Sequence, residues 1–113
     1  MKSKILALSK NEEFKNLIKQ KKITNKYTTI FFGKLANKNR NRLNISFVTK
    51  RKIGNAVKRN KIKRRLRNIM NDAVKNITLK FDYSYLVIAK PTMLNNNYTT
   101  IKETLFKDLE KIK

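Results

Sequence analysis

The side chains in this sequence that are best able to take part in chemistry are Lys and Arg, and they are concentrated in one segment. Ten of the eighteen positions from Lys50 to Arg67 are Lys or Arg. Between Glu13 and Asp72 there is no acidic residue, whereas Lys and Arg occur 19 times. Ordinary protein surfaces mix both charge signs. A long segment of one sign therefore indicates a site for a polyanion, and phosphate groups are a common partner of Lys and Arg side chains.

Few other side chains in this sequence could perform catalysis. The chain has no Cys and no His, which excludes thiol nucleophiles, imidazole bases, disulfides and the common zinc sites. Its seven carboxylates are scattered, and Glu12 and Glu13 form the only adjacent pair. A nuclease that uses two metal ions needs converging ligands. We therefore expect neither a catalytic residue nor a metal ligand on this chain.

The composition favours one folded, nucleic-acid-binding domain. The 113 residues carry a net charge of +22, and 40% of them are hydrophobic, which is too many for a disordered basic tail. No apolar run approaches the ~20 residues that span a bilayer, and the apolar stretch at 5–8 is too short for a signal peptide. We expect a cytoplasmic protein with a single domain at 1–113, in which only the order of residues 1–8 is open, and no membrane partner.

The first half of the chain predicts one helix and two strands. The capping-box spacing of Ser9 and Glu12 predicts a helix near 10–20, and the charged, polar segment 21–26 then breaks the pattern. Residues 27–32 are rich in β-branched and aromatic side chains, which is typical of a strand. A polar turn at 37–42 and alternating residues at 43–48 predict a second strand that returns as a hairpin partner.

The second half of the chain predicts a helix, a strand and a helix. A helix is expected from about 56 to 76 with Asn55 as its N-cap, because apolar residues recur at steps of three or four. The apolar run at 85–89 is typical of a buried strand, and a polar cap region at 95–97 precedes a last helix. This order of elements predicts a small layered α/β fold. The apolar residues of the two helices are Ile62, Leu66, Ile69, Ala73 and Ile77, then Ile101, Leu105, Leu109 and Ile112.

The long helix is expected to present cations on the side away from the core. At 3.6 residues per turn, five polar residues share an arc of about 100° opposite the apolar stripe. They are Asn60, Lys63, Arg64, Arg67 and Asn71. The alternative is an ordinary solvated face, but a segment without anions makes phosphate binding the better interpretation.

Two segments resemble the signature of the protein subunit of bacterial ribonuclease P, in which a basic loop and Gly-Asn precede a helix that opens with Arg-Asn-Arg. They are residues 52–57 (KIGNAV) and 59–64 (RNKIKR). Their one departure is Lys61, where the family usually has the second Arg. The resemblance extends to the helix opening at 10–14 and the strand at 85–91, so it covers most of the chain.

The resemblance implies both a fold and separate roles for the RNA and the protein. The fold is an α/β (α+β) two-layer sandwich in the order α-β-β-β-α-β-α, with a four-stranded sheet and a left-handed βαβ crossover, an exception to the usual handedness. The function is that of a ribonuclease P subunit, an accessory to an RNA-based endonuclease in transfer RNA processing. The catalytic RNA holds the Mg²⁺ and cleaves the precursor, while the protein binds that RNA and the 5′ leader and strengthens substrate and metal binding.

The basic segment and the resemblance together predict site residues. Phe14 matches the family's helix aromatic in the leader cleft, Ile18 stands where a second aromatic is usual, and Phe31 matches the strand aromatic. Phe32 is the alternative to Phe31, because neighbouring strand residues point to opposite faces. Core packing is the competing interpretation for both aromatics. The predicted RNA-binding residues are Lys50, Arg51, Lys52, Asn55, Arg59, Asn60, Lys61, Lys63, Arg64 and Arg67.

Three other functions fit parts of the sequence. A small ribosomal or RNA-chaperone protein would have the same composition. A protein nuclease would depend on carboxylates such as Glu13 or Asp72. A DNA-binding helix-turn-helix is disfavoured, because the basic helix sits between strands without a paired helix, and we expect no DNA partner.

Overall fold

The sheet and helices are described by a computed structural model that covers residues 5–6, 8, 11–35, 43–77, 79 and 82–112. The strands are β1 (Ile5–Leu6), β2 (Lys21–Thr24), β3 (Thr28–Gly33), β4 (Leu43–Val48) and β5 (Ser84–Ala89). The helices are α1 (Asn11–Ile18), α2 (Ala56–Asn76) and α3 (Tyr98–Lys111), with short 3₁₀ helices at Arg51–Ile53 and Pro91–Asn95. The predicted capping box at Ser9 and the turn at 37–42 lie outside the described residues.

One mixed sheet holds the strands in the order β1-β4-β5-β3-β2. The α+β fold and the four longer strands confirm the expected class, and the two-residue β1 adds a parallel edge strand beside β4. The predicted hairpin between β3 and β4 is wrong, because β5 lies between them, antiparallel to β3 and parallel to β4. Helix α2 connects the parallel pair β4 and β5, and the left-handed sense of that connection stays a prediction.

The charged segment after α1 is a strand and not the break that its composition suggested. Residues of β2 pair with β3 in antiparallel register, from Lys21 opposite Phe32 to Thr24 opposite Thr29. Three of its four residues are exposed, as an edge strand allows, and Lys side chains on an edge also discourage pairing with another chain. Because most of its residues are exposed, β2 lacks the alternation of apolar and polar residues by which a strand is predicted from sequence.

The sheet separates two apolar clusters. The larger cluster lies between the sheet and helices α2 and α3, and its strand residues include Ile30, Phe32 and Val87. The smaller cluster lies on the α1 side and is built on Leu17 and Leu86. Every predicted apolar residue of α2 and α3 packs in the larger cluster, with Ile77 half-buried at its margin, as their helical spacing predicts.

A polar network ties the turn before β3 to α3. Asn25 Oδ1 accepts hydrogen bonds from the backbone N–H groups of Tyr27 and Thr28 at 2.7 and 2.8 Å. The Asn25 Nδ2 group donates to Asp108 Oδ2 at 2.8 Å, and Asp108 is only 7% exposed. One side chain therefore satisfies two backbone donors and a largely buried carboxylate.

Replacing Asn25 by Ala is expected to lower the free energy of unfolding by about 1–3 kcal/mol, because the substitution removes the acceptor of two backbone N–H groups and a donor to Asp108. Urea denaturation of the purified chain measures the change. The matched control is Asn95→Ala at an exposed position of the second 3₁₀ helix, which is expected to shift stability by less than about 0.5 kcal/mol. Equal losses in the two variants would contradict the structural role of Asn25.

Candidate nucleic-acid interface

Helix α2 divides into an apolar face and a cationic face. Its buried residues are Ile62, Leu66, Ile69, Met70 and Ala73. The predicted arc opposite them is open to solvent: Asn60, Arg64 and Arg67 are exposed, and Lys63 and Asn71 are half-buried. Lys61, which lies outside this arc, is also exposed. The apolar face therefore holds the helix against the core, while the cations on its other side remain available to a partner.

The loop before α2 brings three more cations to the start of the helix. Lys50, Arg51 and Lys52 are exposed, whereas Ile53 at 5% exposure anchors the loop in the core. Gly54 then turns the chain at φ +149°, a conformation that side chains disfavour. A Cβ atom at Gly54 would also lie 2.8 Å from Cδ of the flexible Lys58 side chain, so the backbone conformation is the main reason for glycine here.

The first turn of α2 is a favourable place for an anion. Asn55 is exposed, and its Oδ1 accepts a hydrogen bond from the Lys58 N–H at 3.0 Å, which confirms the predicted N-cap. No acidic residue lies in this first turn, and the positive end of the helix dipole adds to the nearby loop cations. We call Lys50, Arg51, Lys52, Arg59, Asn60, Lys61, Lys63, Arg64 and Arg67 the cationic ridge.

Two arginines of α2 differ in how their donors are satisfied. Arg65 Nη1 donates to the Met93 carbonyl oxygen at 3.4 Å, so this guanidinium is directed to the second 3₁₀ helix and away from the ridge. Arg59 is half-buried, and its Nε atom is buried without an acceptor among the described residues. A buried donor without a partner is costly.

The carboxylate nearest to the ridge in sequence is already engaged. Asp72 Oδ2 accepts a hydrogen bond from Lys102 Nζ at 2.9 Å, and this bond raises the pKa of Lys102 above its ordinary value of 10.5. The Lys102 ammonium is therefore charged at neutral pH, and its contribution to stability is lost as the pH rises through that raised pKa. Among the ion pairs within the described residues, none involves a cation of the ridge.

The second predicted surface lies on the opposite side of the sheet, beside α1. Phe14 and Phe31 are half-buried and pack against the smaller cluster, as do Val48 and Ile88; we call these four residues the apolar patch. Ile18 follows Phe14 by one helical turn and is 49% exposed. The patch combines apolar contact with access to solvent, which is what a stacking surface for bases needs.

The structure assigns the two neighbouring aromatics of β3 to different faces. Phe31 lies in the patch beside α1, whereas Phe32 is 6% exposed in the larger cluster. Phe32 is thus the core residue, and Phe31 is the more exposed of the two.

One residue near the patch could not be found from the sequence. Lys22 of β2 pairs directly with Phe31, and residues opposite each other in antiparallel strands share a face of the sheet. Lys22 is exposed, so it places a cation at the edge of the patch. The signal was absent because β2 itself was not predicted and its partner strand was therefore unknown.

The described residues offer no metal site of their own. They contain no group of three or more Asp, Glu, His or Cys side chains placed to hold an ion. Within the same part of the chain, none of the helices combines the length and the apolar character needed to cross a membrane.

Comparison with known proteins identifies a family over almost the whole chain. The family model described as Ribonuclease P matches residues 3–113. The ribonuclease P protein component of Mycoplasma mycoides is 32% identical over 107 residues, which are 94% of each chain. The corresponding protein of Carboxydothermus hydrogenoformans is 30% identical over 110 residues, covering 94% of this chain and 90% of the relative.

Solved structures agree with this assignment. The ribonuclease P protein of Thermotoga maritima superposes with a TM-score of 0.79 at 26% identity, covering 96% of this chain and 98% of that one. The ribonuclease P protein of Staphylococcus aureus gives a TM-score of 0.76 at 23% identity over 94% and 93% of the two chains, a likeness of fold. With the matched signature in the loop and opening turns of α2, this chain belongs to the ribonuclease P protein family.

Proposed function

We propose that this chain is the protein subunit of ribonuclease P, which binds the catalytic RNA and the 5′ leader of precursor transfer RNA and assists removal of the leader. The observation that carries the proposal is the cationic ridge, which lies on the side of α2 that the protein core does not use. Transfer RNA precursors of a bacterium are in the cytoplasm, so this role requires a cytoplasmic protein.

The cationic ridge and the apolar patch contact different parts of the RNA. Ridge cations contact phosphates, because guanidinium groups can hold two phosphate oxygens and ammonium groups act as point charges. Asn55 lies between the loop cations and the helix, where its main contribution is to cap α2. Phe14 and Phe31, with Ile18 beside them, contact leader bases, and stacking suits a leader of variable sequence because every base has a flat face.

Magnesium chemistry belongs to the RNA in this proposal. Among the described residues no group of carboxylates is placed to hold a metal ion, and the proposal assigns the cleavage step to the RNA. The chain acts by holding two polyanions together, and its positive charge offsets their repulsion. Less Mg²⁺ is then needed to neutralise the phosphates of the complex.

Reconstituted cleavage tests the proposal directly. The purified chain, added to the cognate catalytic RNA at low Mg²⁺, is expected to restore removal of the leader under conditions in which either component alone is inactive. A small ribosomal or RNA-chaperone protein would bind RNA without restoring site-specific cleavage at the leader junction. Failure to stimulate cleavage would therefore contradict the proposal, even if the chain binds the RNA tightly.

Asp72→Asn is expected to leave reconstituted cleavage within about 2-fold of the wild-type rate, because this carboxylate binds Lys102 and an ion pair at the protein surface contributes only about 0–1 kcal/mol to stability. The measurement is the initial rate under single-turnover conditions. The matched control is Glu103→Gln, at an exposed position of α3. A loss of about 100-fold, the scale typical of removing a general acid or base, would favour a protein nuclease instead.

A further inference from the structure

A pocket outside both proposed contact surfaces opens at the β2 and β3 edge of the sheet. Its volume is about 240 Å³, and none of its lining residues belongs to the cationic ridge or the apolar patch. The lining residues are Gln20, Lys21, Phe32, Gly33, Lys34 and Tyr83.

The strand register places this pocket far from the basic loop. Tyr83 immediately precedes β5, whereas the loop follows β4, whose last residue, Val48, pairs with Ile88 near the other end of β5. A six-residue strand such as β5 spans about 20 Å at ~3.3 Å per residue. The pocket and the basic loop therefore lie at opposite ends of the sheet.

The wall of the pocket is aromatic. The rings of Phe32 and Tyr83 lie 5.9 Å apart between centroids and are tilted by 37°. Phe32 is part of the core at 6% exposure, so it fixes the position of this wall, while Tyr83 is half-buried at the opening. An aromatic wall next to solvent is suited to contact with a planar ring.

The rim of the pocket is positively charged. Lys21 is exposed, and the Lys34 side chain is 70% exposed with its Nζ 3.7 Å from Asp82 Oδ2. Lys21 and Lys34 line the pocket and only Lys34 is paired with Asp82 among the described residues, which leaves one positive charge in excess at the rim. Gln20 closes the same rim, with its Nε2 donating to the Lys34 carbonyl oxygen at 3.4 Å.

We propose that this pocket binds one unpaired nucleotide of an RNA strand. The base lies against Tyr83 and Phe32, and its phosphate lies between Lys21 and Lys34. The aromatic wall matches the base of a nucleotide, and the cationic rim matches its phosphate. Other proteins bind single-stranded RNA by the same combination of stacking and positive charge. The site goes beyond the proposed function, because it adds a third RNA contact at the end of the sheet remote from the basic loop.

Photocrosslinking of the full chain tests this site. The probe is an oligouridylate of about six nucleotides, a length within the usual single-strand site range, carrying one 4-thiouridine, and mass spectrometry maps the crosslinked peptides. The wild-type chain is expected to crosslink at Phe32 or Tyr83. The Lys21→Ala/Lys34→Ala variant is expected to lose about 10-fold in crosslink yield there, while the charge-matched control Lys107→Ala/Lys111→Ala on α3 stays within about 2-fold.

A second pair of variants separates stacking from folding. Tyr83→Phe keeps the ring and is expected to retain the crosslink at Phe32. In Tyr83→Ala the crosslink yield at Phe32 is expected to fall by about 10-fold, which is the scale of the loss of one stacked base. No crosslink at the pocket, or an equal loss in the α3 control, would overturn the proposal. The crosslinking assay contains no catalytic RNA, so it is independent of the reconstitution assay. Crosslinks found only at the ridge would reject the pocket as an RNA site and leave the proposed function standing. Failed reconstitution would reject the proposed function and leave the pocket as an RNA site.

Discussion

Replacing Arg64 and Arg67 together by Ala is expected to weaken binding of the chain to the catalytic RNA by about 100-fold. A hydrogen bond to a charged group contributes about 1.5–3 kcal/mol, and the lower figure for two residues already gives that factor. Both side chains are exposed on the ridge, so the fold does not depend on them. Equilibrium binding of labelled catalytic RNA at fixed salt measures the effect.

The control for this prediction removes the same charge from another helix. Lys107→Ala/Lys111→Ala takes two cations from the exposed side of α3 and is expected to weaken binding by less than about 10-fold, because only the general attraction of the positively charged chain is reduced. Equal losses in the two double variants would mean that net charge, and not the ridge, determines affinity.

Replacing Phe31 by Leu is expected to reduce discrimination between substrates with and without a leader by about 10-fold. Leu keeps most of the apolar contact with the smaller cluster but removes the aromatic surface, and stacking contributes about 1–3 kcal/mol per base. The measurement is the ratio of dissociation constants of the reconstituted complex for precursor transfer RNA with its full leader and with the leader removed. Phe14→Leu is expected to act in the same direction.

Phe47→Leu is the matched control for the aromatic surface. Phe47 is also half-buried on a strand, but it packs against the larger cluster on the opposite face of the sheet. Its substitution is expected to lower stability by less than about 1.5 kcal/mol and to leave discrimination unchanged. If Phe31→Leu weakened binding of both substrates equally, Phe31 would be a packing residue only.

Local signals in the sequence were sufficient to predict the element that carries the ridge. The apolar period of α2, its Asn55 cap and its opposite cationic arc all depend on residues within a few turns of each other. The predicted bounds, about 56 to 76, agree with the observed helix Ala56–Asn76. For the same reason, the exposure of Arg64 and Arg67 followed from helical geometry alone.

Pairing between distant segments could not be predicted in this way. Strand β5 inserts between β3 and β4 although β4 is nearer to β3 in sequence, and no local pattern encodes that choice. The face occupied by Phe31 depends on where α1 packs, and Lys22 joins the patch only through the register of β2. The candidate site was therefore predictable along α2 and incomplete wherever it depended on the sheet.

The salt dependence of binding to the catalytic RNA tests most directly whether the ridge holds phosphates. If about five phosphates are neutralised at the single-strand value of about 0.7 each, the logarithm of affinity falls against the logarithm of salt concentration with a slope near −3.5. In Arg64→Ala/Arg67→Ala the slope is expected to become shallower by about 1.4, the contribution of two contacts. An affinity that is flat with salt, or a slope unchanged in this variant, would contradict the account.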